Sequence, residues 1–209
     1  MLIGIIIAAR MDSTRLPGKV LLPLNDHGDC SLDFISKAIG KSSLRNKAIL
    51  ATTSRPVDEP IAQHAKTIGL RVFRGDTLDL VKRHYEAAKC NDLVWQIRLT
   101  ADCPFVTAKL IDGCIDQFRI SPFQNTDLFS TKTIFPSGLD LEFIRTDALI
   151  KNHPIMSISE REHLTKFFYR HRPNRIKYFE NFDPGNVLSE TYLLDTPNDL
   201  FLIKRALAK

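Results

Sequence analysis

Cysteine is scarce and unpatterned in this 209-residue chain. The four present, Cys30, Cys90, Cys103 and Cys114, include no C-x-x-C pair. That spacing indicates neither a zinc site nor a redox pair, and the four read as reduced thiols of a cytoplasmic protein. Long apolar runs are also missing. The stretch Leu2–Ala9 is far shorter than a membrane span, and it lacks the basic leader and cleavage site of a secretory signal. No membrane partner is expected. There is no Walker phosphate loop, no internal repeat and no low-complexity tract. Basic residues outnumber acidic ones, for a formal charge of +5 and a pI near 9.1, yet they form no long Lys/Arg block. The excess fits an anionic partner and equally fits a solvated basic surface. Aromatic and basic residues are not interleaved, so nucleic acid is not an expected partner. Hydrophobic residues at 44% and charged residues at 25% exclude disorder as the main state.

What is there reads as alternating strands and helices. Leu2–Ala9 is a continuous isoleucine-rich run, as in a parallel strand covered on both faces. Helical spacing follows over Ser31–Ser43, Val57–Ile68, Thr77–Lys89 and Thr107–Phe118, and strands are expected at Lys47–Thr52, Leu70–Phe73 and Asp92–Leu99. Four β-α units in succession predict an α/β fold with a doubly wound, mostly parallel sheet and right-handed crossovers. Ligands of such sheets bind at the carboxyl ends of the strands, here after Ala9, Thr52, Phe73 and Leu99. From Ser121 to Phe143 the pattern turns strand-like. Ser159–His171 reads as a helix, Ile176–Phe182 and Thr191–Leu194 as strands, and Pro197–Ala208 as a closing helix. The expectation is one domain over 1–209, with about 121–182 forming a small substrate-facing and dimer-forming excursion.

The segment after the first strand holds Arg10, Arg15 and Lys19 within ten residues, together with small residues and Gly18. Three cations and a close-approaching backbone fit a polyanion such as a triphosphate; a solvated basic turn fits charge and spacing as well. Asp102 follows the fourth strand directly, before Pro104, where a carboxylate suits either a hard cation or a turn. Asp195 precedes Thr196-Pro197-Asn198-Asp199, a helix-capping arrangement that leaves Asp195 itself uncommitted. Ser159 and Glu162 read as a capping box, and Asp76 or Thr77 as a helix N-cap. Arg83, His84 and Tyr85 read as ordinary helix surface and core. His27, His64, His84, His153 and His171 have no metal-ligand spacing and read as surface.

The run AARMDSTRLPGKVLLPL resembles the signature of the cytidylyltransferase family that includes acylneuraminate and KDO cytidylyltransferases, in particular its SpsF-like branch. ATTSRPVDEPIAQHA, FRGDTLDLVKRHYEAA, RLTADCP, FPSGLDLE, SEREHLT and DTPND resemble its further blocks, so the likeness spans most of the chain. It implies a nucleotide-diphospho-sugar transferase type of sheet and a magnesium-dependent transfer of CMP from CTP to a sugar acid, with pyrophosphate released, in surface polysaccharide biosynthesis. By this resemblance Ala8, Ala9, Arg10, Ser13, Arg15, Gly18, Lys19, Thr52, Ser54, Arg74 and Thr100 bind the nucleotide. Lys19, Arg15 and Asp102 are the catalytic set, Asp102 and Asp195 hold Mg²⁺, and Asp140, Glu142 and His163 face the acceptor. A cytoplasmic homodimer is implied too. Asp12 and Ala101 depart from the family pattern, each standing where glycine is usual. The alternatives are a sugar-1-phosphate or small-alcohol nucleotidylyltransferase with another NTP, a glycosyltransferase, which the phosphate loop speaks against, and a non-catalytic nucleotide-binding or nucleic-acid-binding protein.

Overall fold

Strand β1, Ile3–Ala8, lies at the centre of the sheet because its isoleucines satisfy two apolar layers at once. Ile5 and Ile7 belong to one buried cluster with Leu32, Ile35, Leu110 and Ile111, while Ile6 faces the opposite way, onto Ile49, Ala87 and Ala88. The computed structural model describes residues 2–122, 124–185 and 189–208. After β1 come α1 (Ser31–Gly40), β2 (Ala48–Thr53), α2 (Glu59–Thr67), β3 (Arg71–Gly75), α3 (Leu80–Lys89), β4 (Trp95–Thr100) and α4 (Ala108–Ile120). The chain continues through β5 (Leu128–Ser130), β6 (Glu142–Arg145), α5 (Thr146–Asn152), α6 (Ile158–Glu162), α7 (Lys166–His171), β7 (Ile176–Tyr178) and α8 (Pro197–Leu207).

The sheet runs β3-β2-β1-β4-β6-β5-β7. Every pairing is parallel except those of β6, which runs against both β4 and β5. The α/β, mostly parallel architecture expected from the sequence is therefore the observed one. The chain winds outward from β1 to β3 and then returns to β4, so the switch point lies between β1 and β4, where Ala8 pairs with Thr100. A crevice for a ligand opens at such a point.

The second half extends this sheet rather than leaving it. Trp95 on β4 meets Phe118 of α4 edge-on with ring centroids 5.1 Å apart and Phe129 of β5 at 5.7 Å, and Phe143 and Phe179 complete the cluster. Such aromatic pairs add to their area burial and fix the outer strands against the inner ones.

Several element boundaries differ from expectation. Of the strand-like stretch 121–143, only β5 and the start of β6 are strands among the described residues, and residue 123 lies outside them. Helix α3 starts three residues later than its pattern suggests. Asp76 accepts the N–H groups of Leu78 and Asp79, both at 3.0 Å, forming a turn, and Asp79 then caps the helix by accepting from Lys82 N–H at 2.8 Å. The expected helix over Ser159–His171 is two short helices. Its capping box is Ser157 with Glu160, two residues ahead of the Ser159–Glu162 pair, because the helix begins at Ile158. Thr191–Leu194 is not a strand, since its backbone turns to meet the β4 loop. The Thr196–Asp199 box on α8 is present as expected, with Pro197 in the first turn. No helix of the described residues is long and apolar enough to cross a membrane.

Candidate active site

The loop leaving β1 is shaped by one glycine and one buried acid. Gly18 adopts φ +69°, open to glycine at no steric cost, and its N–H donates to Met11 carbonyl at 2.8 Å, closing the loop on itself. Met11 N–H in turn donates to Asp58 Oδ1 at 2.7 Å, and the fully buried Asp58 also accepts from Thr53 Oγ1 and from Arg55 Nη2. Asp12 points to Arg55, whose Nη1 donates to it at 2.6 Å. That guanidinium holds the Asp12 carboxyl below the usual carboxylate range. The carboxylate in place of the family's glycine is thus neutralised locally. Ala101, the other departure, is buried, has no positive φ, and donates its N–H to Ala8 carbonyl at 3.0 Å, so alanine fits this turn unstrained.

Lys19 stands at the start of a short 3-10 turn, 8% exposed. Its Nζ donates to Asp102 Oδ2 at 2.6 Å and to Asp195 Oδ1 at 3.1 Å, and Arg15 pairs with the other oxygen of Asp195. The two acids come from opposite ends of the chain. Leu194 N–H donates to Asp102 carbonyl at 2.8 Å, and this bond sets Asp195 beside Asp102. The α8 cap uses the side chains of Thr196 and Asp199, so the Asp195 carboxylate is left free of it, as expected, and pairs with Lys19 and Arg15.

These groups open onto a cleft of about 590 Å³. Its walls are Ala8, Ala9, Arg10, Ser13, Arg15 and Lys19 from the loop, Arg98, Thr100, Ala101 and Asp102 from β4 and its turn, and Leu193 and Asp195. Thr77, Leu78 and Arg83 close one side, and Glu162 and His163 the other. The break between α6 and α7 is what turns His163 toward the cleft: it is the C-cap residue of α6, in a non-helical conformation. A second cleft of about 520 Å³ adjoins, sharing Arg98, Glu162 and His163 and adding Lys132, Thr165, Lys166, Tyr169 and Arg170.

Six residues expected at the site do not line either cleft. Gly18 shapes the loop from behind. Thr52 is fully buried within β2, and Ser54 is bonded to Gly75 carbonyl. Arg74 is spent on structure: its guanidinium donates to the carbonyls of Thr53 and Arg55 at 3.0 and 2.9 Å and pairs with Glu59. Asp140 accepts Gly138 N–H at 3.0 Å and stiffens the turn before β6. Glu142 is wholly buried beneath the second cleft. It accepts from Arg98 Nη1 at 2.9 Å, Lys132 Nζ at 2.8 Å, Thr165 Oγ1 at 3.0 Å and Tyr169 Oη at 2.8 Å. Burial alone would raise its pKa, but Arg98, Lys132 and Tyr169 together bring it below the ordinary value.

Sequence reasoning passed over Arg55 and Asp58, which hold the loop, and Arg98 and Arg83, which line the cleft. Arg83, read as helix surface or core, is 4% exposed and donates Nη1 to Asp76 carbonyl at 2.6 Å. Arg98 had a signal, since its position before Asp102 on β4 puts it on the same face as Thr100. His84, expected at the surface, is fully buried, with Nδ1 2.8 Å from Gln96 Oε1. All four cysteines are free.

A mostly parallel sheet with a cationic loop after β1 and paired carboxylates across its switch point defines an α/β protein built to take an anionic ligand at that point. The chain belongs to the cytidylyltransferase family, whose model, described as "Cytidylyltransferase", matches residues 4–204. It is 31% identical over 209 residues to the spore coat polysaccharide biosynthesis protein SpsF of Bacillus subtilis, covering 95% of this chain and 83% of that one. Among solved structures it is similar to a cytidylyltransferase from Leptospira borgpetersenii, with TM-score 0.79 and 30% identity over 88% of this chain and 78% of that one. CMP:2-keto-3-deoxy-manno-octonic acid synthetase complexed with CTP shares the fold, with TM-score 0.71 at 19% identity over 99% and 98% of the two chains.

Proposed function

We propose that this protein transfers CMP from CTP to the hydroxyl of a sugar acid and releases pyrophosphate. The acceptor oxygen attacks the α-phosphorus, the bond from that phosphorus to the bridging β-phosphate oxygen breaks, and the hydroxyl proton passes to water. The observation that carries this reading is the Lys19 ammonium held between Asp102 and Asp195 at the switch point. Its convergence tests the fit to Mg²⁺: two carboxylates aim oxygens at one small cationic centre, and hard oxygen donors of this number suit that ion beside triphosphate oxygens. Asp102 and Asp195 would hold it, and when bound it supplies charge neutralisation on the triphosphate.

The protein's own groups do the rest. Arg10 and Arg15, exposed on the loop, draw in the triphosphate. Lys19, whose Nζ would turn from the two carboxylates to the phosphates once a cation takes its place between them, offsets charge that grows on the transferring phosphate. Met11 and Gly18 hold the loop closed, so little reorganisation accompanies binding. The neighbouring cleft, with Lys132, Lys166 and Arg170 against a single lining acid, Glu162, favours an anionic acceptor. Family membership and the CTP complex of a protein with this fold support the donor.

The test is pyrophosphate release from CTP with Mg²⁺ over a panel of sugar acids, neutral sugars and sugar phosphates. Turnover should appear with a 2-keto sugar acid, and both Lys19→Ala and Asp102→Asn should lower it by roughly 10²–10³-fold. Turnover confined to sugar phosphates, or an Asp102→Asn variant with normal turnover, would refute the acceptor or the metal assignment respectively.

A further inference from the structure

We propose that Cys30, Asp33 and His64 form a binding site for a zinc-class transition-metal dication, with a water completing the coordination. Among the described residues these three are the one group of potential ligands of this kind whose donor atoms all lie within 4.8 Å of one another. Cys30 caps α1 and Asp33 sits in its first turn, while His64 comes from α2, so two separate helices supply the set. Cys30 Sγ is 3.5 Å from His64 Nε2, and His64 Nε2 is 2.9 Å from Asp33 Oδ1. Bonds of about 2.3 Å to sulfur and about 2.0 Å to nitrogen and oxygen, at tetrahedral angles, separate S from N by about 3.5 Å and N from O by about 3.3 Å. The remaining side of the triangle, Cys30 to Asp33, is within 4.8 Å, so side-chain rotation can bring all three donors to one centre.

The donor chemistry selects the metal. A thiolate, an imidazole and a carboxylate suit zinc and its neighbours, and three protein ligands with one open position is a geometry zinc tolerates. Magnesium, by contrast, avoids sulfur. Access exists, because the His64 and Asp33 side chains are 32% and 11% exposed. Asp33 keeps its second oxygen on Cys30 N–H at 2.8 Å, which fixes the carboxylate as an outer support does. The charges balance: one dication meets a thiolate, a carboxylate and a neutral imidazole. The metal binds the Cys30 thiolate, so binding releases one proton to water and weakens as pH falls. The site shares no residue with the CTP cleft, so its test stands or falls apart from the proposed activity.

The experiment is titration of the reduced, metal-stripped full chain with Co²⁺ in the presence of excess Mg²⁺, read by the thiolate-to-cobalt charge-transfer band, followed by displacement with Zn²⁺. One Co²⁺ per chain is expected, released by Zn²⁺. Cys30→Ser and His64→Ala should each weaken Zn²⁺ binding by at least about 10²-fold, since even outer-shell losses reach that size. Cys90→Ser, at the exposed thiol, should leave it unchanged. Circular dichroism checks folding, and if Cys30→Ser does not fold, the half-buried His64 position decides. Absence of the band in the folded wild type overturns the proposal. So does a band that survives Cys30→Ser or His64→Ala, or one that vanishes with Cys103→Ser, which would place the metal beside Asp102.

Discussion

At the scale of single residues, Glu142 shows how a buried charge can serve a site it never touches. Four donors meet one carboxylate, and all four, Arg98, Lys132, Thr165 and Tyr169, line the second cleft. Removing the charge leaves Arg98 and Lys132, 24% and 39% exposed, to be resolvated by water in the cleft, and leaves the buried amide among donors only. Glu142→Gln should therefore cost about 1–3 kcal/mol in urea unfolding, the range for leaving buried polar groups imperfectly paired. A loss below about 1 kcal/mol, the range of exposed pairs, would mean the network is solvated in solution. β6 begins at Glu142, so Asp140 lies in the turn before it and does not share its strand face. The sequence did not show that Glu142 is covered by Tyr169 of α7, since burial depends on elements distant in sequence. His84 was more legible than its surface reading allowed. It lies three residues after Val81 and four before Ala88, on one helical stripe, and both of those are fully buried.

Among elements, the turn before β6 reaches the segment that carries Asp195 through backbone alone. Gly138 has φ +95°, and a Cβ there would stand 2.3 Å from Tyr192 carbonyl oxygen. The 192–194 segment it presses on leads directly to Asp195. Gly138→Ala should cost about 1–3 kcal/mol of stability from backbone strain and lower turnover by about 10²-fold through misplaced Asp195. Unfolding and pyrophosphate-release assays on the same preparation would check both, and a variant normal in both would remove this link. The inner elements were legible because β1, β2 and their helices bury continuous or periodic apolar sets. Short β5, β6 and β7 carry too few residues for a period to show, and α6 with α7 read as one helix because nothing local marks His163 as a break. The meeting of Asp102 with Asp195 depends on one backbone bond between distant loops, which no spacing encodes.

For the whole molecule, acid is the condition under which buried polar groups should act together. Burial lowers the His84 pKa to about 3 from an ordinary 6.5, with the Gln96 bond opposing. The unfolded chain thus binds a proton between those values that the native chain does not. Stability should rise with pH across this window, at up to about 1.4 kcal/mol per unit, and level off above it. The folded pKa of Glu142 is lowered as well, so its contribution is present above the unfolded value of 4.5 and is lost as pH falls below. His84→Gln should therefore flatten the slope between 4.5 and 6.5, where Glu142 does not titrate. Urea unfolding across pH measures it, and an unchanged slope would assign the titration elsewhere.

The proposed activity requires that Lys19, Asp102 and Asp195 mark a CTP site completed by a divalent cation. The most direct measurement is thermal unfolding of the wild type with CTP, UTP, GTP or ATP, each with and without Mg²⁺. At about 100 times its Kd a ligand stabilises the native state by roughly 2.7 kcal/mol, which raises the Tm of a domain this size by several degrees. That rise is expected for CTP with Mg²⁺, with far smaller shifts for the other nucleotides and its loss in Lys19→Ala. Equal shifts for all four nucleotides, or none for CTP with Mg²⁺, would contradict the proposed CTP site.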